Sequence, residues 1–505
     1  MTRTIAIALL LTLGTAAEAQ APAELKQQVR AWRTAHEKEV VGELAGLLAL
    51  RNVASDRADI QRNADHLLGL LRKRGFQARL LTAGDSPPAV YGELPSPGAK
   101  HTVVFYAHYD GQPADPADWG GADPWKPVLR AGGPDSGEIP LGSSPLDPEA
   151  RLYARSASDD KGPIVAMLAA LDALRAAGVK PSVNIKMFLE GEEEAGSTHL
   201  TSIVREHRDL LAADAWILAD GPVHQTRKLQ VVFGARGVMG LELTTYGPAR
   251  ALHSGHYGNW APNPAALLVE LLAGLRGPDG EIRIAGFGDE VRPLTESEKA
   301  ATAAMPPVEE ELRNELALAW TEGGERLLDS VMRPALNVRG LQSAQVGAGA
   351  RNAIPTEATA SIDFRLVPDQ TPAKVRERTE THIRSLGFHV VHDVPDAETR
   401  RKHPRVVRLQ WEDGYAAART SMDLPVSRAV VRAIDGMLGE PALRVPMLGG
   451  SVPISMFVDT LNVPVITMPI VNHDNNQHAA HENLRLQNLW DGIEVFAALF
   501  AGLDW

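Results

Sequence analysis

The chain contains no cysteine among its 505 residues. Disulfide bonds and a lipid-anchored cysteine are therefore excluded, and any metal ion must be held by His, Asp and Glu side chains. A chain of this length does not need disulfides for stability, so the lack of cysteine leaves an ordinary folded protein as the expectation.

The chain also lacks an excess of positive charge. It carries 51 Lys and Arg against 63 Asp and Glu, a formal net charge of −12. This balance argues against nucleic acid as the main partner, and no such partner is expected. Beyond the N-terminus there is no apolar run long enough to span a bilayer, so no membrane partner is expected either.

The N-terminus has the pattern of a secretory signal peptide. Arg3 precedes the apolar run Ile5 to Leu13, and Ala17 to Ala19 form a small-x-small cleavage site before Gln20. We therefore expect residues 1–19 to be removed and the protein to be secreted or periplasmic. A buried N-terminal helix is the alternative interpretation.

A chain of 505 residues is too long for one hydrophobic core, so at least two domains are expected. Apolar runs at Val103–Tyr106, Val183–Leu189 and Trp216–Ala219 predict strands. Ile164–Leu174, following Pro163, predicts a helix between the first two. Strands alternating with helices indicate an α/β fold with a mainly parallel sheet covered by helices.

The pattern changes near Leu229. The runs Leu229–Phe233 and Val238–Tyr246 predict antiparallel strands, and further helices and strands follow up to about Glu412. From there the first pattern returns, with the predicted strand Val463–Met468. We expect a catalytic domain over 20–228 and 413–505, interrupted by an inserted α+β domain over 229–412.

Acidic and imidazole side chains follow the predicted strands of the first pattern. His108 and Asp110 follow the first strand, Glu190–Glu194 the second, Asp220 the third and His473–Glu482 the last. Ligands of open α/β sheets bind outside the carboxyl ends of the strands. Four strands that each deliver such residues there, together with the Asp pair in the turn Ser158–Pro163, indicate a functional site.

The residue types indicate a metal centre. Several neighbouring carboxylates repel one another and raise each other's pKa, and a divalent cation removes that penalty. Histidine and carboxylate ligands without thiolate suit zinc, manganese or cobalt. The number of carboxylates favours two ions that share one bridging carboxylate, with a bridging hydroxide making the site neutral.

Six short motifs occur in an order that resembles the M20 family of metallopeptidases, and within it the carnosinase-like dipeptidases. They are AHYDG from Ala107, SDDKGP from Ser158, LEGEEEAGS from Leu189, AD at Ala219–Asp220, LHSG from Leu252 and HAAHE from His478. The resemblance implies a catalytic domain like that of zinc peptidases and an inserted lid and dimerisation domain. The sequence departs from the family pattern in one place. The glycines that usually flank the arginine before the Asp pair are absent around Arg155.

The resemblance also implies roles for individual residues. His108, Asp159 and Asp220 would bind one ion, and Asp159, Glu194 and His478 the other. Asp110 would accept a hydrogen bond from His108, and Glu193 would be the general base. The peptide bond after Asp159 would be cis. His473 and His481 are not expected to be ligands, and Asp160 is expected to support the turn and Lys161.

Two further groups of residues follow from the resemblance. His253 would donate to the oxyanion and would reach the metal site of a partner subunit in a homodimer. Arg365 would bind the free carboxylate of a small peptide substrate, with Asn352, Gly450 and Ser451 as helpers. Plain loop roles are the alternative for the helpers.

The sequence therefore predicts a secreted metallopeptidase of the dipeptidase or carboxypeptidase type, with two divalent ions. Glu193 would take the proton of the attacking water and pass it to the leaving nitrogen. An amidohydrolase for N-acyl or N-succinyl amino acids is the first alternative, since it shares every metal ligand. A binding protein that has lost catalysis is the second, and the presence of Glu193 argues against it.

Overall fold

The computed structural model describes residues 22–452 and 454–505. The predicted signal peptide lies outside the described residues. The main feature of the fold is a mixed sheet of eight strands. In spatial order these are Gln77–Leu81, Ala89–Leu94, Asn184–Glu190, Thr102–His108, Ala215–Leu218, Val465–Thr467, Gln230–Val232 and Leu443–Val445.

Four neighbouring strands at the centre of this sheet run parallel. Thr102–His108 pairs in parallel with Asn184–Glu190 on one side and with Ala215–Leu218 on the other, and Val465–Thr467 continues beyond Ala215–Leu218. These are the four strands after which the sequence places acidic and imidazole side chains. Their carboxyl ends therefore meet at one edge of the sheet, as predicted.

Side chains of the central strands alternate between two apolar cores because successive residues of a strand point to opposite faces. Val103 and Phe105 belong to the larger core, whereas Val104 and Tyr106 belong to the smaller one. The larger core is covered by helices Pro22–Ala35, Glu37–Leu48, Arg57–Lys73, Lys161–Ala176, Pro425–Leu438 and Leu486–Gly502. The smaller core is covered by Leu200–Glu206, Arg208–Leu211 and Ile454–Leu461.

A second sheet forms the inserted region. Its five strands are, in spatial order, Ala335–Gln342, Glu357–Leu366, Gly237–Tyr246, Val406–Trp411 and His389–Val391. All pairs are antiparallel except the last. Helices Pro264–Leu275 and Pro372–Ser385 contribute to its apolar core. The α/β fold with an α+β insertion is thus confirmed.

Shorter elements connect these layers. A four-stranded sheet consists of Asn483–Arg485, Arg151–Tyr153, Val128–Arg130 and Glu138–Ile139, and two-stranded sheets pair Gly234–Ala235 with Ala418–Arg419 and Leu252–His253 with Ala353–Ile354. The remaining α-helices are Ser254–Tyr257, Glu296–Ala303, Glu309–Glu315, Leu327–Val331 and Ala397–Lys402, and the 3-10 helices are Glu193–Ala195, Glu322–Gly324 and Gly347–Gly349. Over the described ranges, none of the helices is both long and apolar enough to cross a membrane.

One predicted strand belongs to a different sheet from the one expected. Gln230–Val232 pairs with Leu443–Val445 and touches Val465–Thr467, so it is part of the larger sheet. The second sheet begins only at Gly237. The sequence pattern grouped this strand with the inserted region, whereas its partners lie more than 200 residues further along the chain. The domain limits 20–228, 229–412 and 413–505 stay a prediction.

Candidate metal centre

Two groups of potential metal ligands share one carboxylate at the carboxyl ends of the central strands. The first comprises His108, Asp159 and Asp220, and the second comprises Asp159, Glu194 and His478. Within each group the ligand atoms lie within 4.8 Å of one another. Two ligands bound at ~2.1 Å to one zinc ion are at most about 4.2 Å apart, so only a small adjustment would close each group on an ion.

Asp159 lies between two histidines. Its Oδ1 is 2.9 Å from His108 Nε2, and its Oδ2 is 3.1 Å from His478 Nε2. Burial would raise the pKa of Asp159, but hydrogen bonds and the charges of the two histidines hold it below its ordinary value. The carboxylate therefore stays ionised and presents one oxygen to each group, the geometry that a bridging ligand requires.

Simultaneous ionisation of Asp220 and Glu193 is energetically unfavourable without a cation. Burial, followed by the charge of Asp159, raises the pKa of Asp220 to about 6. Burial also raises the pKa of Glu193, opposed by His108 and reinforced by Asp220. Divalent cations would neutralise this concentration of negative charge, so the donor set fits two of them.

Asp110 holds the turn that carries Glu193 and Glu194. Its two carboxylate oxygens accept the backbone N–H groups of Glu193 at 3.1 Å and of Glu194 at 3.0 Å. Nδ1 of His108 lies 3.2 Å from the carbonyl oxygen of Asp110 and 3.5 Å from its Oδ1. Asp110 thus lies against the His108 ring, and the hydrogen bond expected at its carboxylate stays a prediction. Asp110 also fixes the neighbouring 3-10 helix, which the sequence did not predict.

Glu482 fixes the loop that presents Asp159. It is fully buried, and it accepts the backbone N–H groups of Ser156, Ser158 and Asp159 at 2.9 to 3.0 Å. The Ser158 hydroxyl and the Arg155 guanidinium donate to it as well, at 3.0 and 2.8 Å. Glu482 and His478 belong to one loop. The hydrogen bonds of the Glu482 carboxylate therefore link the loop that carries His478 to the loop that carries Asp159.

Two glutamines complete the surroundings of the ligands. Gln112 Nε2 donates to Glu194 Oε2 at 2.8 Å, and Gln477 Nε2 donates to Asp159 Oδ2 at 3.3 Å. Sequence reasoning missed both residues, although Gln112 directly follows the first motif. Partners of this kind orient metal ligands and set their basicity.

The two residues after Asp159, Asp160 and Lys161, are buried and hold the Asp159 loop in place. The peptide bond between Asp159 and Asp160 is cis, as the resemblance implies. Asp160 Oδ2 accepts the backbone N–H of His108 at 3.2 Å, and Lys161 Nζ donates to the carbonyl oxygens of Leu47 and Leu50, both at 2.9 Å. The Asp159 loop is thereby tied both to the central strand and to the end of helix Glu37–Leu48.

His253 lies apart from the metal cluster in this chain. It is exposed, its Nδ1 accepts the backbone N–H of Gly255 at 3.0 Å, and its ring lies 4.5 Å from that of His256. In the described part of the chain, no hydrogen bond or ion pair joins His253 to either ligand group. Because Nδ1 accepts, the neutral ring carries its proton on Nε2, which leaves that N–H as a free donor.

The four predicted substrate-binding residues fall into two places. Arg365 donates from Nε to Asp363 Oδ2 at 3.0 Å and from its terminal nitrogen to Ser451 Oγ at 2.8 Å, so Arg365 and the Gly450–Ser451 turn lie together. Asn352 is elsewhere, because its carbonyl oxygen accepts the backbone N–H of Ser254 beside His253. The structure therefore groups Asn352 with His253 rather than with Arg365.

Comparison with known proteins identifies the family. The model for peptidase family M20/M25/M40 matches residues 104–501. The Cys-Gly metallodipeptidase dug1 of Schizosaccharomyces pombe is 26% identical over 476 residues, covering 91% of this chain and 94% of the relative. The human Beta-Ala-His dipeptidase is 29% identical over 422 residues, covering 82% of this chain and 77% of the relative.

Solved structures agree with these relatives. An M20 family metallo-carboxypeptidase from Sulfolobus solfataricus superposes with a TM-score of 0.73 at 27% identity, covering 92% of this chain and 99% of that one. Human carnosine dipeptidase 1 superposes with a TM-score of 0.71 at 26% identity, covering 96% and 99%. The chain therefore belongs to peptidase family M20/M25/M40 and is a metallopeptidase of that family.

Proposed function

We propose that this protein is a dinuclear metal-dependent peptidase that hydrolyses the amide bond of dipeptides or short peptides. The observation that carries the proposal is the pair of ligand groups that share Asp159 and lie beside Glu193. The similar proteins named above are dipeptidases for Cys-Gly and Beta-Ala-His and a metallo-carboxypeptidase. These names favour a peptidase over the deacylase alternative.

His108, Asp159 and Asp220 would hold one divalent ion, and Asp159, Glu194 and His478 the other. Zinc suits these nitrogen and oxygen donors, and manganese or cobalt would also fit. When bound, such a pair of ions activates water as a nucleophile and polarises a carbonyl oxygen. The loop contacts of Glu482 and the turn contacts of Asp110 would keep the ligands in place before any ion arrives.

Glu193 would act as the general base. It lies next to the proposed ligand Glu194 at the start of the 3-10 helix, and burial raises its pKa. A raised pKa makes the carboxylate a better proton acceptor. It would take the proton of the attacking water and deliver it to the leaving nitrogen, so that this nitrogen departs as a neutral amine and not as an amide anion.

His253 would donate Nε2–H to the developing oxyanion from a partner subunit. Its position apart from the ligand groups supports this arrangement over a contact within one chain.

The inserted region also exposes large apolar side chains. Trp260, Val269 and Leu341 are 79%, 61% and 59% exposed, and Leu341 belongs to the edge strand Ala335–Gln342. Such side chains are commonly covered by a partner, which supports a homodimer through this region.

Arg365 and Ser451 would hold the free carboxylate of the substrate, with Gly450 in the same turn, and Asn352 would assist near His253.

For the location of the protein, we propose export after removal of residues 1–19, on the sequence pattern alone. Mass spectrometry of protein from its native host should give a mature chain starting near Gln20. An intact Met1–Ala19 segment would contradict export.

The proposed activity can be tested with metal-loaded protein and a panel of dipeptides, tripeptides and N-acyl amino acids. We expect hydrolysis of dipeptides, loss of hydrolysis after chelation and its return with zinc, manganese or cobalt. Faster hydrolysis of N-acyl amino acids than of every dipeptide would favour the deacylase. Activity that persists in metal-free protein would exclude a metal-dependent mechanism.

A further inference from the structure

A second arginine lies beside Arg365. Arg236 donates from Nε to the carbonyl oxygen of Gly449 at 3.0 Å, while Arg365 donates to Ser451 Oγ at 2.8 Å. Both guanidinium groups therefore hold the same short turn, Gly449–Ser451. Burial lowers the pKa of Arg236 to about 10, and the charge of Arg365 acts in the same direction. The two cations are close enough to repel each other.

The charges at this place do not balance. Asp363 pairs with Arg365, with Oδ2 3.0 Å from Nε, and it is the carboxylate that offsets both cations. The hydrogen bond from Arg236 goes to a neutral carbonyl group. Neither terminal nitrogen of Arg236 donates to another residue of the described chain. An excess of one positive charge and two free donor groups thus faces the turn that carries Ser451.

Tyr415 connects the arginine pair with the reaction site. Val238 exchanges backbone hydrogen bonds with Tyr415 and is the strand partner of Arg365, so Tyr415 and Arg365 flank Val238 on one face of the sheet. Burial, followed by the charge of Glu193, raises the pKa of Tyr415 to about 12, while Arg365 opposes the shift. Tyr415 therefore lies within electrostatic reach of both Glu193 and Arg365.

We propose that Arg236 determines substrate specificity by binding a second carboxylate, so that the enzyme prefers peptides whose C-terminal residue is aspartate or glutamate. Arg365 and Ser451 take the main-chain carboxylate of that residue, and Arg236 takes the side-chain carboxylate. The inference rests on the proposed peptidase function, because it assumes that the C-terminal end of the peptide lies at Arg365. The side-chain carboxylate would pair with Arg236, whose terminal nitrogens make no hydrogen bond in the described chain, whereas a neutral side chain leaves this guanidinium without a counterion.

The test compares two peptides that differ by one charge. With the metal-loaded enzyme, kcat/KM for alanyl-glutamate should exceed that for alanyl-glutamine roughly ten-fold or more, since a hydrogen bond to a charged partner has that effect. In Arg236→Gln the ratio should fall to about one, and Arg236→Lys should keep an intermediate ratio. Arg292→Gln, which removes an exposed arginine paired with Asp369, should retain the wild-type ratio.

Two results would overturn the proposal. One is a wild-type ratio of one or less. The other is an Arg236→Gln enzyme in which both peptides are affected equally, because Arg236 would then only support the Gly449 turn. Calorimetry with L-glutamate and L-glutamine separates this inference from the peptidase proposal. Tighter binding of glutamate to a protein that cleaves no dipeptide would retain the arginine site and reject the peptidase, and equal binding would reject the site.

Discussion

Glu193 and Glu194 are adjacent in the chain, yet their surroundings give them different roles. Glu194 lies 3.2 Å from His478 Nε2, whereas the pKa of Glu193 is raised by burial. Glu193→Gln keeps the size of the side chain but removes its basicity. We expect it to retain both ions and to lose ~10²–10⁴-fold in kcat. Steady-state kinetics and metal analysis of the same sample would measure both quantities.

Glu192 provides the matched control for this substitution. Its carboxylate accepts the backbone N–H of His199 and lies 2.9 Å from Nδ1 of the same residue, and it takes no part in either ligand group. Glu192→Gln should therefore retain most of the activity. If metal-loaded Glu193→Gln were as active as Glu192→Gln, another residue would have to be the base.

Glu482 is expected to act through the loop that it holds. In Glu482→Gln the amide group would face N–H donors, so some of the hydrogen bonds from Ser156, Ser158 and Asp159 must break. We expect metal affinity to fall by ~10–100-fold and the free energy of unfolding to fall by about 1–3 kcal/mol. Competition with a chelator and thermal denaturation would measure the two effects.

Glu494→Gln separates stability from metal binding. Glu494 lies on helix Leu486–Gly502 and forms an ion pair with Arg30, away from the ligands. This variant should lose stability while its metal affinity stays that of the wild type. Unchanged metal affinity in Glu482→Gln would show that the loop does not depend on this carboxylate.

Sequence patterns predicted the residues that stand in short motifs, and the structure brings His108, Asp159, Asp220, Glu194 and His478 together. The choice of these five among the neighbouring acids and histidines came from the resemblance to the M20 family, whereas apolar periodicity indicates only that polar residues follow the strands. The contacts of Glu482, Gln477 and Arg236 could not be predicted, since their partners lie more than 200 residues away in the chain. Such contacts depend on the packing of whole elements.

The loop that carries His478 is attached to the four-stranded sheet through Asp474. Arg151 and Arg485 lie directly opposite each other on neighbouring strands, and both donate to the Asp474 carboxylate. Burial would raise the pKa of Asp474, but hydrogen bonds from Arg151 and Asn472 lower it to about 2. Its ionised form therefore relieves the repulsion between the two arginines.

The sign of the pH dependence follows from that lowered pKa. The stabilisation by Asp474 is fully present above pH ~4, the ordinary pKa of an aspartate, and is lost as the pH falls through about 2. Asp474→Asn should lower the Tm at pH 7, and the difference from wild type should shrink below pH 4. Since the carboxylate is 55% exposed, we expect about 1 kcal/mol or less. A Tm difference that grows in acid would contradict this assignment.

Most elements were predictable from apolar periodicity, and some were not. Helix Lys161–Ala176 includes the predicted helix Ile164–Leu174, and strand Thr102–His108 extends the predicted one by three residues, from Val103–Tyr106. The four-stranded sheet was missed because its strands are two or three residues long and carry little apolar pattern. Strand Gln230–Val232 was assigned to the wrong sheet because pairing is decided by distant partners.

For the whole molecule, the proposed dimer predicts that two inactive variants complement each other. His253→Ala should keep its metals but lose ~10²–10³-fold in rate, the usual cost of an oxyanion donor. Glu193→Gln has its defect in the other domain. After subunit exchange at equal mixing, about half the dimers are mixed, and each has one intact site, so activity should return to roughly one quarter of wild-type sites.

Exchange itself must be verified, for example by native mass spectrometry of subunits that differ in mass. If mixed dimers form and no activity returns, His253 acts within its own chain or has no catalytic role. If the protein is a monomer at all concentrations tested, the proposal of a shared site fails outright.

The central claim is that one carboxylate, Asp159, joins two metal ions, and elemental analysis tests it most directly. Wild-type protein purified without chelators should contain two divalent transition metal ions per chain. Asp159→Ala should lose most of both, whereas Asp220→Ala should lose mainly one, because Asp220 belongs to a single ligand group. Folded wild-type protein without such metal, or an Asp159→Ala variant that retains both ions, would contradict this claim.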